Sequence, residues 1–178
     1  MGSGGGDIDL ALEELRLVAR YVAESAEEVL PVFEGLHPDD HRPRAAIDAA
    51  REFVAGAARS GSLRTRSLDA HRAARSTTTE PARLAAQAAG DAASAAYLHP
   101  IARATQVKHI LRAAAGAARI AEILAGGDPD AAERSIRQAR RRATPELVDV
   151  LRRYPRPVAS RSRVSQLMTQ LDDELRRA

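Results

Sequence analysis

The chain has 178 residues, which is enough for one domain with a sizeable core. It contains no cysteine, which excludes disulfides and thiolate zinc sites. Hydrophobic residues make up 44% of the chain and aromatic residues only 3%, and the formal net charge is +3. Because small aliphatic side chains let helices pack closely, we predict a compact all-α, single-domain bundle of about seven to nine helices.

Charge is distributed unevenly along the chain. Residues 1–40 hold ten acidic and two basic side chains, whereas residues 134–178 hold twelve arginines and five carboxylates. One interpretation is that an acidic first helix steers a basic partner. The other is that the charged helix faces of the protein pair with one another. The candidate acidic face consists of Glu13, Glu14, Glu24, Glu27 and Glu28.

The chain is expected to begin with a flexible glycine-rich tail over residues 1–7. Apolar residues then recur at steps of three or four from Ile8 to Phe33, which predicts a long helix. Pro31 lacks an amide hydrogen and is expected to kink or break this helix near Leu30. A second helix is predicted to start after a cap at Asp39 or Asp40 and to end near residue 58.

Caps, prolines and glycines define the remaining helices. They are predicted over residues 61–75, 79–98, 101–125, 129–142, 145–154 and 164–175. The fifth helix of the chain is expected to follow directly after His99-Pro100. We divide the chain into the tail, a helical domain over residues 8–155, and a C-terminal amphipathic helix, residues 156–178, that packs on the domain.

Two glycines, Gly90 and Gly116, lie inside predicted helices. Each costs about 1 kcal/mol relative to alanine, so the positions need room. A tight helix crossing and a ligand lying against bare backbone are the two interpretations, and the surrounding alanines favour the crossing.

The segment His37-Pro38-Asp39-Asp40-His41 contains residue types that bind metals. Histidines four residues apart converge only on a helix, and Pro38 favours a turn instead. Helix capping and ion pairs with Arg42 and Arg44 explain these residues better. We therefore expect no metal site and no cofactor.

A polar strip follows Tyr97 in the Ala-rich region. Either it lines a cleft between helices, where a small molecule would bind, or it is the solvated side of a helix. The candidate pocket residues are Tyr97, His99, Gln106, His109 and Arg112.

Catalytic, nucleic-acid and membrane functions have little support in the sequence. Serine-elbow, phosphate-loop and zinc-protease motifs are absent, and only His99 and His109 are candidate acid–base groups. A run of arginines over residues 134–142 suits phosphate contacts but lacks interleaved aromatic residues, so we do not expect a nucleic-acid partner. With no apolar span and no secretion signal, we expect a cytoplasmic protein.

Several short sequence segments resemble those of a known protein family. Val29-Leu30-Pro31-Val32-Phe33-Glu34, followed by Asp39-Asp40-His41-Arg42-Pro43-Arg44, is similar to bacterial immunity proteins, predicted antidotes of polymorphic toxin systems. The segments around Tyr97–Leu111 and Ala143–Pro155 look like an actinobacterial branch of that group. Some members of the branch are labelled exonucleases, but this chain has neither a phosphate-binding loop nor coiled-coil heptads.

The resemblance implies an all-α domain that binds a protein toxin without catalysis. Asp39, Asp40, Arg42 and Arg44 match the charged positions of the family's signature, either as a binding site or as a fold-defining turn. The alternative function is a small-molecule-binding or resistance protein, with its pocket between the Ala-rich helices. The oligomeric state is open.

Overall fold

The structure, a computed structural model, describes residues 7–177, and within them the chain forms eight α-helices. Their bounds are α1 Leu12–Glu34, α2 Arg42–Val54, α3 Gly61–Ser76, α4 Glu80–Ser94, α5 Lys108–Leu124, α6 Pro129–Arg142, α7 Pro145–Arg152 and α8 Arg163–Arg177. The described residues form no strand, and one isolated bridge pairs Asp7 with Ile101. The predicted compact all-α fold is confirmed. The predicted tail lies outside the described residues except for Asp7.

Two central helices organise the core. Helix α1 packs against α2, α4 and α5, and α4 packs additionally against α3. Alanines of α4 such as Ala85 and Ala89 are completely buried, so neighbouring backbones approach closely. Leucine, isoleucine and two phenylalanines fill the spaces between the helices. Helices α3 and α4 lie side by side, and they run antiparallel, because Arg64 meets Tyr97 whereas Arg75 shares a groove with Arg83.

The first helix does not break at Pro31, so the break allowed by the prediction does not occur. Helix α1 continues to Glu34, and the amide of Gly35 still donates to the carbonyl of Pro31 at 2.9 Å. Pro31 lies on the exposed side of the last turn, whereas Leu30 and Phe33 are buried. Burial of these large side chains offsets the loss of one helical hydrogen bond.

The start of α5 also differs from the prediction. The helix begins at Lys108 rather than directly after Pro100, and Ala104–Gln106 forms a 3₁₀ turn before it. The connection is held by hydrogen bonds from the Tyr154 hydroxyl to the His99 carbonyl, 2.9 Å, and from the His99 amide to Gln106 Oε1, 3.4 Å. Long-range contacts, which helical periodicity does not report, therefore determine this segment.

Local capping signals locate the starts of α6 and α7 correctly. The Asp128 carboxylate accepts the Asp130 amide at 3.0 Å, and the Thr144 hydroxyl accepts the Leu147 amide at 3.3 Å. Each helix has proline at its first position, where no amide hydrogen is required.

Gly90 and Gly116 occupy different environments, and substitutions at the two sites are expected to have opposite effects. A Cβ atom added at Gly90 would lie 2.7 Å from His71 Nε2, whereas one added at Gly116 would meet nothing within 4 Å. We expect Gly116→Ala to stabilise the fold by about 1 kcal/mol through helix propensity. Gly90→Ala is expected to destabilise it by about 1–3 kcal/mol through overpacking. Urea unfolding measures both.

The His71→Ala background provides the control for the Gly90 prediction. Without the imidazole the added methyl group no longer clashes, so Gly90→Ala should then stabilise the chain instead of destabilising it. An equal loss in both backgrounds would show that another contact, and not His71, requires the glycine.

Candidate functional site

The charged signature segment lies at the junction of α1, α2 and α3. Asp40 accepts two hydrogen bonds from the Arg42 guanidinium, at 2.8 and 2.7 Å, and a third from the Arg42 amide at 3.2 Å. The guanidinium beside Asp40 lowers the pKa of that carboxyl below its usual value. Arg42 also reaches the Ser76 hydroxyl at the end of α3, 3.4 Å away. These contacts fix the start of α2.

Arg44 connects the signature segment to the preceding helix. Its guanidinium donates to both carboxylate oxygens of Glu34, at 2.6 and 2.7 Å. Asp39 is exposed, and within residues 7–177 its carboxylate has no hydrogen-bond or ion-pair partner. The geometry therefore gives Asp40, Arg42 and Arg44 contacts within the fold and leaves Asp39 accessible to a partner.

His37 has a structural environment. Its Nε2 lies 2.8 Å from the Thr77 hydroxyl, and its ring packs against Phe33 with centroids 4.8 Å apart. Within the described part of the chain, no group of three or more His, Asp or Glu side chains is arranged to hold a metal ion.

The five candidate pocket residues fall into separate environments. Tyr97 lies in the 3₁₀ turn Ala95–Tyr97 that follows α4, where its hydroxyl donates to the Ser60 carbonyl at 2.7 Å. His99 and Gln106 lie together in the connection before α5, and His109 is half-buried in the first turn of that helix. Arg112 points toward α4 and pairs with Asp91.

Asp91 is the centre of a buried ionic cluster that sequence analysis missed. It is 1% exposed, and Arg112 donates to its two oxygens at 2.8 and 2.5 Å. His71 Nε2 lies 3.6 Å from the same carboxylate. The cluster joins α3, α4 and α5, and the close crossing at Gly90 brings the His71 ring into place. A lone aspartate in a long run of alanines was the available signal in the sequence.

Burial lowers the pKa of both histidines near this cluster, His71 and His109. Desolvation lowers the pKa of His71, assisted by Arg112 and Arg75 and opposed by the Asp91 carboxylate. The pKa of His109 is also lowered, first by burial and then by Lys108, Arg112 and His99, with Asp91 again opposing. Both imidazoles are therefore expected to be neutral near pH 7.

These shifts predict a pH dependence of stability. A histidine whose pKa is lower in the folded state binds its proton more tightly when the chain is unfolded. Protonation therefore favours unfolding, and this loss of stability is absent above the unfolded pKa of about 6.5. Unfolding free energy should fall as pH decreases from about 7.5 to about 5.5, a range in which ordinary carboxylates stay ionised. Urea unfolding of the wild type and of His71→Gln/His109→Gln measures this; the double variant should show a flatter profile.

His41 provides the matched control because it is an exposed imidazole at the start of α2. His41→Gln should leave the pH profile of the wild type unchanged. A profile that remains steep in the double variant would assign the dependence to other groups.

Two shallow grooves follow the outward face between α3 and α4. Leu68, Ser94 and Tyr97 line one of about 250 Å³, together with Arg64 and Ser67. The other has about 220 Å³ and is lined by His71, Ala74, Arg75, Arg83 and Gln87. Both volumes lie below the roughly 300–1,000 Å³ of sites that enclose a drug-sized ligand. These grooves suit side chains of a partner better than an enclosed small molecule.

The acidic face of α1 is largely neutralised within the protein. Glu14 pairs with Arg153 at the end of α7, and Glu28 pairs with Arg142 at the end of α6 at 2.9 Å. Glu13 pairs with Arg16 and Glu27 with Arg51. Glu24 is the one member of the proposed face without an ion pair within residues 7–177. The interpretation that charged faces pair with one another therefore describes α1 better.

The arginines of α6 fall into two groups, those paired with carboxylates and those exposed without a pair within residues 7–177. Arg142 turns inward to Glu28 and Ser25, and Arg134 lies 3.7 Å from Asp128. Arg137, Arg140 and Arg141 remain together on the exposed surface. No helix in the described part of the chain is both long and apolar enough to cross a membrane.

Fold and site together define an all-α domain with ion pairs between its helices and shallow grooves on its surface. A family described as Imm-5 like putative immunity protein matches residues 10–144. The chain belongs to this family, which confirms the resemblance seen in the sequence. The match covers α1 to α6 and ends at the start of α7. No curated protein and no solved structure matches the chain.

Proposed function

We propose that the chain is a cytoplasmic immunity protein that binds a toxic protein directly and neutralises it without catalysis. Membership of the Imm-5 like family over residues 10–144 carries this proposal, because immunity implies a protein partner. The shallow surface grooves support it, since protein interfaces use open surfaces whereas small-molecule sites are concave.

The ion pairs between helices are consistent with a protein-binding function. Asp91 and Arg112 are committed to each other, and the signature residues Asp40, Arg42 and Arg44 hold helix junctions together. Such contacts give a rigid surface, which lowers the entropic cost of binding a partner. The ordered surface, rather than a reactive group, is then what the partner recognises.

The experiment that tests this function has two steps. First, the tagged chain is used to capture partners from its native host, and proteins and extracted small molecules are identified by mass spectrometry. Second, the captured protein is expressed alone and together with the chain. We expect it to arrest growth alone, and co-expression to restore growth with formation of a stoichiometric complex.

Two results would contradict the proposal. One is a stable protein partner that is not toxic, or whose toxicity the chain does not relieve. The other is retention of a small molecule with no protein partner, which would favour the pocket hypothesis for Tyr97, His99, Gln106 and His109. A tagged helical protein of similar net charge serves as the control for nonspecific capture.

A further inference from the structure

The outward surface of the α3–α4 pair is one continuous feature. On α3, Arg64, Leu68, His71 and Arg75 recur at steps of four, three and four, which places them in one row. The row extends about 16 Å along the helix. Residues of α4 and its end lie opposite, and the two grooves described above occupy the two ends of this surface. We call this surface the α3–α4 face; its charged and apolar groups are Arg59, Arg64, Leu68, Arg75, Arg83 and Tyr97.

The α3–α4 face carries positive charge that the protein does not neutralise. Residues 55–115 contain nine basic and three acidic side chains. Each of the three carboxylates forms an ion pair within the protein: Asp69 with Arg72, Glu80 with Arg119, and Asp91 with Arg112.

The arginines of the α3–α4 face are not paired with carboxylates of the part of the protein that the structure describes. Within residues 7–177, Arg59, Arg64, Arg75 and Arg83 have no carboxylate within ion-pair distance, and all four are exposed. Arg142 and Arg153, by contrast, reach back to carboxylates of α1. The four arginines of the α3–α4 face leave a positive surface that suits carboxylates of a partner.

The same face offers an apolar anchor site. Leu68 is 56% exposed and lies in the groove with Tyr97. The Tyr97 ring is held in place by its hydroxyl bond to Ser60 and by the Arg64 guanidinium, 4.3 Å from the ring centroid. Tyrosine and arginine are both among the residue types enriched at the hot spots of protein interfaces.

We propose that the α3–α4 face docks an acidic segment of a protein partner. An apolar side chain of that segment sits between Leu68 and Tyr97, and its carboxylates pair with Arg64 at one end and with Arg75 and Arg83 at the other. This proposal rests on the proposed function as a protein-binding immunity protein and assigns the chemistry of the partner. A protein fits better than a nucleic acid because Arg64 covers the Tyr97 ring, which would otherwise stack on a base.

The probe is a phage-displayed library of random peptides of about 12 residues, long enough to extend over the face. Selection on the full chain should enrich sequences with aspartate or glutamate on both sides of leucine, phenylalanine or tryptophan. The dissociation constants of selected peptides should rise at least about tenfold with Arg64→Glu/Arg75→Glu, and also with Leu68→Ala. Binding should weaken as salt is added.

Matched controls place the same changes on other surfaces. Arg137→Glu/Arg141→Glu makes the same charge reversal on exposed arginines of α6, and Leu124→Ala removes a leucine that is 65% exposed at the end of α5. Both variants should bind the selected peptides like the wild type. Circular dichroism and thermal unfolding verify that all four variants fold.

The proposal is overturned if selection yields no acidic peptides, or if reversal on α6 weakens binding as much as reversal on α3. It is also overturned if short duplex DNA displaces the peptides and itself requires Arg64 and Arg75, since the face would then bind nucleic acid. If the peptide experiment fails but co-expression restores growth, the toxin binds another surface of the protein. Specific acidic docking without growth rescue would leave the face assigned and refute the immunity function.

Discussion

Replacing Arg112 by methionine is expected to destabilise the protein by about 3–5 kcal/mol, because it leaves a buried carboxylate without its partner. Asp91 is 1% exposed and receives both of its short charged hydrogen bonds from Arg112. His71 Nε2, at 3.6 Å, is too far from the carboxylate to replace these hydrogen bonds, and burial lowers the pKa of this imidazole. Urea unfolding monitored by circular dichroism measures the loss.

Two further variants make this prediction specific. Adding Asp91→Ala to Arg112→Met removes the buried carboxylate. The double variant Asp91→Ala/Arg112→Met should therefore regain most of the stability that Arg112→Met loses. Arg72→Met breaks an exposed pair with Asp69 and should cost less than about 1 kcal/mol. Equal losses for Arg72→Met and Arg112→Met, or no recovery in the double variant, would show that Asp91 does not depend on the pair.

The fold was largely predictable because its signals are local. Caps at Asp128 and Thr144, each followed by proline, fixed the starts of α6 and α7. The differences at Pro31 and after Pro100 have one cause: proline is a local signal for a break, but its outcome depends on distant packing. Burial of Leu30 and Phe33 continues α1 through Pro31, and Tyr154 holds the connection before α5 in a non-helical form.

The candidate site was less predictable because its contacts are long-range. His71, Asp91 and Arg112 lie on three helices, and nothing in their spacing indicates that they meet. The sequence left open whether Arg112 lines a cleft or lies on the solvated side of its helix, and the structure instead pairs it with the buried Asp91. The expectation that both glycines need room holds for Gly90, where His71 lies against the backbone, and is wrong for Gly116, where an added Cβ would meet nothing within 4 Å.

Net charge by segment was also a poor guide to the binding surface. The acidic N-terminal segment suggested a face for a basic partner, yet arginines from α2, α6 and the end of α7 neutralise much of it. Four exposed arginines without an ion-pair partner within residues 7–177 instead lie together on the α3–α4 face, Arg59, Arg64, Arg75 and Arg83. Only the distribution of partners in space, which the sequence does not contain, distinguishes the two surfaces.

Helix α8 lies beyond the residues that the family comparison matches, yet its contacts make it part of the core. Leu167, Leu171 and Leu175 are at most 1% exposed, and the helix packs against α5, α6 and α7. Its first residue, Arg163, donates to the buried Glu122 carboxylate of α5 at 2.7 and 3.0 Å. These contacts lower the pKa of Glu122, with Arg163 as the largest cause.

Leu171→Ala is therefore expected to destabilise the whole domain by about 2–5 kcal/mol through lost burial and the resulting cavity. Thermal and urea unfolding should each show one cooperative transition shifted to lower stability, because α8 and the helices it covers unfold together. Val158→Ala, at a position 87% exposed in the connection before α8, is the control and should change little. A Leu171→Ala protein with an unshifted main transition would mean that α8 detaches separately and that α1 to α7 are stable without it.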